Sequence, residues 1–421
     1  MSADAYSAAG DLGQKQFHAM AKPVGSTCNL DCTYCYYLSK EFLPQGPGAG
    51  RMTDETLERF IKQYLDGVAG EEVVFSWQGG EPMLLGLDFF RKAVAFQKKH
   101  ARPGQRIGND LQTNGTLLDE EWCEFLKAHR FLVGLSIDGP REIHDRLRVT
   151  KGGRPTFDSV LGAARLLQRH EVPFNTLTCV HRFNGRRPLE VYRFLRQELN
   201  SNYIQFIPIV EYKGFERVAP QRWNGAELPK EGEPEARPGH RNSVVTDWSV
   251  DPEDWGYFLC KVFDRWLSQD LGKVMVNQFE TLVARHLGLP SQMCVYSETC
   301  GRNVAVEHDG SVYACDHYVY PEYRLGNLLT GRLDEMVLSR EQAKFGCAKS
   351  DGLPRYCRQC AYLQDCWGEC PKNRIIRTPD GEPGLNYLCR GFKQFFAHAR
   401  PEVERIAARL RQEPVRPKAH R

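Results

Sequence analysis

The sequence predicts a mostly parallel α/β architecture followed by a small cysteine-rich module. Three observations predict it. Between residues 17 and 210, six short apolar runs alternate with segments of helical period. Cysteines then crowd into residues 294–389, where strands become short and loops long. The chain, at 421 residues, is long enough for two or three domains or for one large barrel with an appendage. Parallel connections are almost always right-handed, so the α/β part is a doubly wound sheet or a barrel, full or partial.

Apolar runs at 17–23, 72–77, 106–112, 131–137, 173–180 and 203–209 read as strands. Helical periods cover 54–66, 87–99, 119–129, 157–170 and 188–199. Thr53 or Asp54 can cap the first helix and Asp119 the third. The strand ends run into suggestive residues: 25–35 after the first, Gln78-Gly-Gly-Glu-Pro82 after the second and Thr113-Asn-Gly115 after the third. Asp138-Gly139 follows the fourth strand and 208–211 the sixth. In either architecture chemistry gathers at this end of the strands.

Residues 211–251, rich in Pro, Gly, Glu and Arg, show no periodicity and read as a long surface insertion. A helix over 252–270 follows, with Trp255, Phe258, Leu259, Val262 and Trp266 on its apolar side. Further on, 303–307 and 311–315 flank Asp309-Gly310, a hairpin signal because both turn residues tolerate positive φ. So loop-rich a segment buries little core alone, which suggests a domain stapled by metal clusters.

A formal charge of +3 is too small to imply nucleic acid or an anionic membrane. No apolar stretch reaches membrane-spanning length, and residues 1–10 lack both parts of a secretory signal. A cytoplasmic protein is expected, with 411–421 as a solvated basic tail. In a reducing compartment clustered cysteines are metal ligands or catalytic thiols more often than disulfides, and 15 cysteines cannot all pair within a monomer.

Cys28-x3-Cys32-x2-Cys35 places three sulfurs on one tight loop. Three thiolates hold a cubane iron–sulfur cluster with one iron open, whereas the eight at Cys294, Cys300, Cys315, Cys357, Cys360, Cys366, Cys370 and Cys389 can fully ligate two more. An open position separates a catalytic metal site from a structural one. A structural zinc would need a fourth ligand near Cys35, and none is present, although a pair of zinc sites fits the C-terminal count equally well. Cys123, Cys179 and Cys260 sit in helical or strand periodicities and read as small buried hydrophobes, and Cys347 as an inert thiol in a loop.

The N-terminal spacing, with Tyr34 before the third cysteine, resembles the hallmark of the radical S-adenosylmethionine (SAM) superfamily. The resemblance implies a partial (β/α)6 barrel and an open cluster iron that chelates SAM, whose cleavage yields a 5′-deoxyadenosyl radical. It further implies cofactor contacts from Tyr34, Gly80, Glu81, Ser136, Arg148 and Val210 (or Ile209). Glycines at 79–80 would let backbone approach the ligand, and the Glu81 carboxylate would suit the SAM ammonium. The C-terminal eight resemble a SPASM domain, by which Cys294, Cys300, Cys315 and Cys370 hold the nearer auxiliary cluster. Cys357, Cys360, Cys366 and Cys389 then hold the farther one, for three [4Fe-4S] clusters in all. The implied layout is a barrel over 15–250, a helical connector over 251–290, the SPASM module over 291–398 and a helix end with basic tail over 399–421.

Along most of its length the chain is similar to the anaerobic sulfatase-maturating enzymes. The resemblance rests on Lys22-Pro-Val-Gly-Ser-Thr-Cys28, Trp77-Gln-Gly-Gly-Glu-Pro82, Gln112-Thr-Asn-Gly-Thr116 and Leu135-Ser-Ile-Asp-Gly-Pro140. Gln205-Phe-Ile-Pro208, Ala314-Cys-Asp316, Gly384-Leu-Asn-Tyr-Leu-Cys389 and Phe395-Phe396 extend it. It implies oxidation of a Cys or Ser in a sulfatase polypeptide, within Cys/Ser-x-Pro-x-Arg, to Cα-formylglycine. Asp316 would be the general base, its pKa raised by burial beside a cluster, and Tyr37 and Gln78 would line the substrate site. A flavodoxin- or ferredoxin-type electron donor and a monomeric enzyme are implied as well. Two other functions fit the cysteine pattern: a radical SAM maturase that crosslinks a ribosomally made peptide, and a non-catalytic zinc-stabilised binding module. The short run before Cys28 leaves little room for the peptide-recognition domain many such maturases carry.

Overall fold

The computed structural model describes residues 16–220 and 227–412. The expectations for residues 1–10 and for the tail beyond 412 lie outside the described residues. All six expected strands form: β1 (His18–Lys22), β2 (Glu72–Trp77), β3 (Arg106–Thr113), β4 (Phe131–Ser136), β5 (Phe174–Val180) and β6 (Tyr203–Pro208). They are parallel and ordered by sequence, with β7 (Met275–Val276) added beyond β6. A doubly wound sheet reverses its direction of growth at a switch point. From β1 to β7 this one grows in one direction only, which selects the partial barrel.

Each crossover carries a helix with an apolar stripe. These are α1 (Asp54–Gly67), α2 (Leu87–His100), α3 (Glu120–Ala128), α4 (Arg141–Leu147), α5 (Phe157–Arg169) and α6 (Pro188–Arg193). The Thr53 side chain caps α1 by accepting the Thr56 N–H, and Asp119 caps α3 by accepting that of Trp122. Helix α6 is shorter than expected because its last part, Phe194–Glu198, winds as a π turn. The short α4 had no visible period.

Val73, Phe75 and Trp77 of β2 face the helices, where they pack on Phe60, Tyr64 and Phe90. Side chains alternate along a strand, so Ser76 points into the barrel. There it accepts or shares a proton with His18 Nε2 at 2.8 Å and donates to Asp110 Oδ2 at 2.5 Å. Burial pushes the Asp110 carboxyl up to about 6. The interior of this barrel is therefore polar at its floor.

The expected hairpin forms as β8 (Asn303–Glu307) and β9 (Ser311–Tyr313), followed by β10 (Arg324–Asn327). Strand β8 lies parallel to β1 and pairs with it over its whole length, His18 with Asn303 through Lys22 with Glu307. The hairpin is thus an extension of the barrel sheet. Helices α7 (Pro252–Gln269) and α10 (Cys389–Gln412) pack closely, because a Cβ at Gly391 would stand 2.1 Å from the Pro252 carbonyl oxygen. Between them lie α8 (Asn277–His286) and α9 (Arg340–Asp351) in chain order.

The described residues of 211–251, which exclude 221–226, depart from the surface insertion expected of them. Val245 and Val250 are wholly buried, Tyr212 bridges to Val245, and the Tyr320 hydroxyl donates to the Phe215 carbonyl at 2.5 Å. Scattered apolar residues hold this segment to the barrel without any regular period.

Candidate active site

After β1 the chain turns, with the Gly25 N–H donating to the Lys22 carbonyl at 2.9 Å. The two glycines after β2 press on this turn. The Gly80 N–H donates to the Gly25 carbonyl at 2.8 Å and the Glu81 N–H to the Thr27 carbonyl at 2.9 Å. A Cβ on Gly80 would stand 1.9 Å from the Thr27 carbonyl oxygen, and Gly79 has φ +125°. The glycines are needed for approach to the cysteine loop itself.

Glu81 corrects a further expectation. Its carboxylate is fully buried and accepts the Met83 N–H (3.1 Å), the Thr113 hydroxyl (2.9 Å) and the Asn114 N–H (2.8 Å). It ties the end of β2 to the end of β3 instead of presenting a charge to a ligand. Burial outweighs those hydrogen bonds and pushes its carboxyl up to about 7.

Cys28, Cys32 and Cys35 share the loop. Cys28 Sγ receives the Leu30 N–H at 3.4 Å and Asn114 Nδ2 at 3.7 Å, and the Cys35 N–H donates to the Cys32 carbonyl at 2.9 Å. Burial pushes the Cys28 thiol up to about 11 and Cys32 to about 12, and a thiolate at Cys35 disfavours both. All 15 cysteines are free thiols. Grouped thiols this reluctant to ionise become thiolates when a metal supplies the positive charge. The donor set fits an iron–sulfur cluster with three protein ligands.

Beside Cys32 lies a buried ion pair. Asp138 accepts Arg148 Nε at 3.0 Å, the Tyr34 hydroxyl at 2.6 Å and the Cys179 N–H at 2.9 Å. Burial would raise its carboxyl, but Arg148 and the neighbouring His144 and His181 hold it below the ordinary value. The expected Arg148 is thus already half committed to Asp138, a partner the sequence reading missed. Ser136 ends β4 in the same layer. Ile209 packs with Tyr34, Leu147, Cys179 and Cys32, whereas Val210 belongs to the main core and offers its carbonyl to Lys372 Nζ at 2.7 Å. Of the two, Ile209 faces the cluster loop.

On the opposite side the Tyr36 hydroxyl donates to Asp316 Oδ2 at 3.1 Å, while Oδ1 accepts the His317 N–H at 2.9 Å. The expected rise of the Asp316 pKa does not occur. Burial alone would raise it, but the charges of His317 and Lys22 and the hydrogen bonds from Cys315 and Tyr36 bring it well below the ordinary carboxylate range. Because burial holds His317 itself to about 4, Lys22 and the hydrogen bonds carry the effect at neutral pH. Asp316 is an ionised acceptor.

Tyr37, expected to touch substrate, is buried and its hydroxyl donates to Glu307 Oε1. Gln78 points into the barrel top, accepting Lys22 Nζ at 3.2 Å.

The C-terminal cysteines fall into two groups. The thiolates of Cys294, Cys315 and Cys370 act on one another, and Cys300 joins them through Cys294. Cys357, Cys360, Cys366 and Cys389 line one apolar hollow with Tyr356 and Phe392. Two buried cations accompany them. Lys349 donates to the carbonyls of Cys294 (2.7 Å) and Val295 (2.8 Å), and the charge of Arg374 is felt by Cys357 and its neighbours. Neither had a motif to announce it. Cys347, expected in a loop, is buried within α9, and Cys123, Cys179 and Cys260 are buried too.

A one-way parallel barrel whose first strand ends in three grouped thiols, with a twin cysteine group closing over it, defines a radical SAM enzyme. The model of the radical SAM superfamily matches residues 23–195, and that of the SPASM iron–sulfur cluster-binding domain matches 294–361. The chain is 44% identical over 390 residues to the serine-type anaerobic sulfatase-maturating enzyme of Bacteroides thetaiotaomicron, covering 93% of this chain and 91% of that one. It is 34% identical over 398 residues to the cysteine-type enzyme of Clostridium perfringens, covering 93% and 98%. The solved structure of anSMEcpe with bound AdoMet and the Cp18Cys peptide superposes with a TM-score of 0.78 at 34% identity, covering 93% of this chain and 99% of that one. The chain belongs to the anaerobic sulfatase-maturating enzymes.

Proposed function

We propose that this chain oxidises a Cys or Ser of a sulfatase polypeptide, within Cys/Ser-x-Pro-x-Arg, to Cα-formylglycine. The observation that carries the proposal is the Tyr36–Asp316 hydrogen bond of 3.1 Å. It joins the residue after the third N-terminal cysteine to the residue after Cys315, so the radical-forming loop and a buried carboxylate border one space. Cys28, Cys32 and Cys35 would hold a [4Fe-4S] cluster that, with SAM, would supply the radical chemistry for removing a Cβ hydrogen atom.

Asp316 accepts the thiol or hydroxyl proton of the target residue. The Tyr36 hydroxyl, donating to Oδ2, keeps the carboxylate oriented. Lys22 balances its charge until the proton arrives. A cluster held by Cys294, Cys300, Cys315 and Cys370 would take the remaining electron, which the charge of Lys349 would favour; a Ser target is then the aldehyde, while the thioaldehyde from a Cys target takes up water and releases sulfide to reach it. Cys357, Cys360, Cys366 and Cys389 hold the third cluster. Arg148, Ser136, Tyr34, Gly80 and Ile209 border the SAM site, with Gln78 at its substrate edge. The barrel spans 15–250 and the twin-cluster module 291–398. The enzyme works as a cytoplasmic monomer with a flavodoxin- or ferredoxin-type donor.

The test is anaerobic incubation with SAM, reductant and peptides bearing Cys-x-Pro-x-Arg or Ser-x-Pro-x-Arg. Mass loss matching aldehyde formation, together with 5′-deoxyadenosine, is expected for at least one peptide. SAM cleavage that leaves both peptides unchanged would refute the assignment.

A further inference from the structure

Beside the group of Cys294, Cys300, Cys315 and Cys370 lies a phenol that the reaction above does not use. Tyr318 is 1% exposed, and among the described residues its hydroxyl has no hydrogen-bond partner. Two other tyrosines of the same segment are satisfied. The Tyr320 hydroxyl donates to the Phe215 carbonyl at 2.5 Å and the Tyr323 hydroxyl to the Pro220 carbonyl at 3.1 Å. A buried hydroxyl without a partner is destabilising, so in a native fold it calls for an explanation.

The ring is fixed in place. The Tyr318 N–H donates to the Cys315 carbonyl at 3.0 Å, which closes the turn Asp316–Tyr318. Two rings hold it edge-on: Tyr323 with centroids 4.8 Å apart at 73°, and Phe345 at 4.9 Å and 80°. Phe345 borders the next ligand, since its carbonyl oxygen stands 4.0 Å from Cys300 Sγ. The phenol is thus held between Cys315 and Cys300, and the charges of Cys370, Cys300 and Cys315 all act on it. Gln342 Oε1 and Asn373 Oδ1 also lack partners among the described residues, but both are acceptors. Of the three, only the Tyr318 hydroxyl can donate to an anion. Arg374, whose charge reaches Tyr318, directs its own N–H groups to the carbonyls of Gly368 (3.3 Å), Lys349 (2.7 Å) and Trp367 (3.1 Å).

We propose that the Tyr318 hydroxyl donates to a sulfur of the cluster that Cys294, Cys300, Cys315 and Cys370 would hold, and so sets how readily that cluster takes an electron. The proposal rests on the function proposed above. Hydrogen bonds to the sulfurs are among the factors that fix an iron–sulfur potential. A donor is bound more strongly as negative charge builds on its acceptor, so this bond favours the reduced state. The step is of one electron: the target radical is oxidised by one, the cluster is reduced by one, and the target's proton goes to Asp316. Tyr318 keeps its own proton and acts on the acceptor, not on the substrate.

The experiment is an EPR-monitored redox titration of the enzyme loaded with all its clusters, kept anaerobic. Adding SAM marks the signal of the cluster on Cys28, Cys32 and Cys35, and the other two signals are followed. Tyr318→Phe removes one oxygen atom. It is expected to bind the electron about tenfold less tightly at one of those two clusters, a potential lower by about 59 mV, and to leave the other unmoved. Tyr323→Phe, which loses a hydroxyl that serves the Pro220 carbonyl, should move neither. Proton ENDOR on the reduced parent should show an exchangeable proton coupled to the shifted cluster, and Tyr318→Phe should lack it. Equal potentials in parent and Tyr318→Phe would overturn the proposal, as would an equal shift of both clusters or the same shift in Tyr323→Phe. Loss of about four irons from Tyr318→Phe would overturn it too, because the hydroxyl would then hold the cluster in place and not tune it. A parent that binds no iron or cleaves no SAM would overturn the functional reading and, with it, this one.

Discussion

Replacing Gly80 by alanine tests whether the Gly-Gly segment acts on the cysteine loop. The new Cβ would lie 1.9 Å from the Thr27 carbonyl oxygen, 2.4 Å from its carbon and 2.7 Å from the Ser26 oxygen, all backbone atoms. An optimal heavy-atom contact is about 3.5 Å, so the loop must retreat by more than an ångström immediately before Cys28. The retreat strains or breaks the hydrogen bonds from the Gly80 and Glu81 N–H groups. Overpacking costs about 1–3 kcal/mol and each lost hydrogen bond about 1 kcal/mol, for a total of about 3–5 kcal/mol. The loss is local. Anaerobically reconstituted Gly80→Ala is therefore expected to lack about four of about twelve irons and to form no 5′-deoxyadenosine, with the auxiliary clusters retained. Gly86→Ala is the control: Gly86 has φ +76° and ψ 168°, a region other residues rarely adopt, but open space around it, so a thermal melt should show a loss of about 1–3 kcal/mol and iron content should not change. Full iron content and parent-like SAM cleavage in Gly80→Ala would refute the reasoning.

Asp316→Asn should keep its iron and its SAM cleavage while formylglycine formation falls by about 10²–10⁴, measured by peptide mass; undiminished turnover removes Asp316 from the role of base. Glu81 makes a pH prediction. Its folded pKa of about 7 lies above the ordinary 4.5, so the native state holds the proton more tightly. Its contribution to stability is full below the ordinary value and is lost as pH rises through about 7, on the order of 3 kcal/mol. Denaturant midpoints at acid and alkaline pH should show this decline in the parent and not in Glu81→Gln; equal slopes would refute it. Lys349→Met removes a buried cation beside the Cys294 group and should lower that cluster's reduction potential by on the order of 100 mV in an EPR-monitored titration. An unmoved potential would show that the ammonium is screened from the cluster.

The strands and most barrel helices were legible because apolar runs and helical stripes are local signals. What the sequence could not carry were relations between distant residues. Nothing in 303–307 announces that β8 pairs in parallel with β1, because a parallel partner leaves no turn signature. Asp316 shows the same limit. Of the groups that reverse the shift, His317 and Cys315 adjoin it in sequence, but Lys22 and Tyr36 arrive only through folding. Glu81 reads as a ligand group until Thr113 and Asn114 are seen to occupy both its oxygens. Ile209 and Val210 differ only by the phase of a strand end, which motif spacing leaves open to one residue. The grouping of the cysteines was legible because short spacing alone brings thiols together.

The parallel pairing of β1 with β8 also governs the order of assembly. As the chain leaves the ribosome, β1 to β6 can form successively, but one edge of β1 stays open until residues 303–307 have been made. Contacts spanning so much of the chain form late, and an open, hydrogen-bonding strand edge is a template for wrong partners. The loop bearing Cys28 begins only a few residues beyond that edge. During synthesis it is the part of the barrel that waits longest for its neighbour.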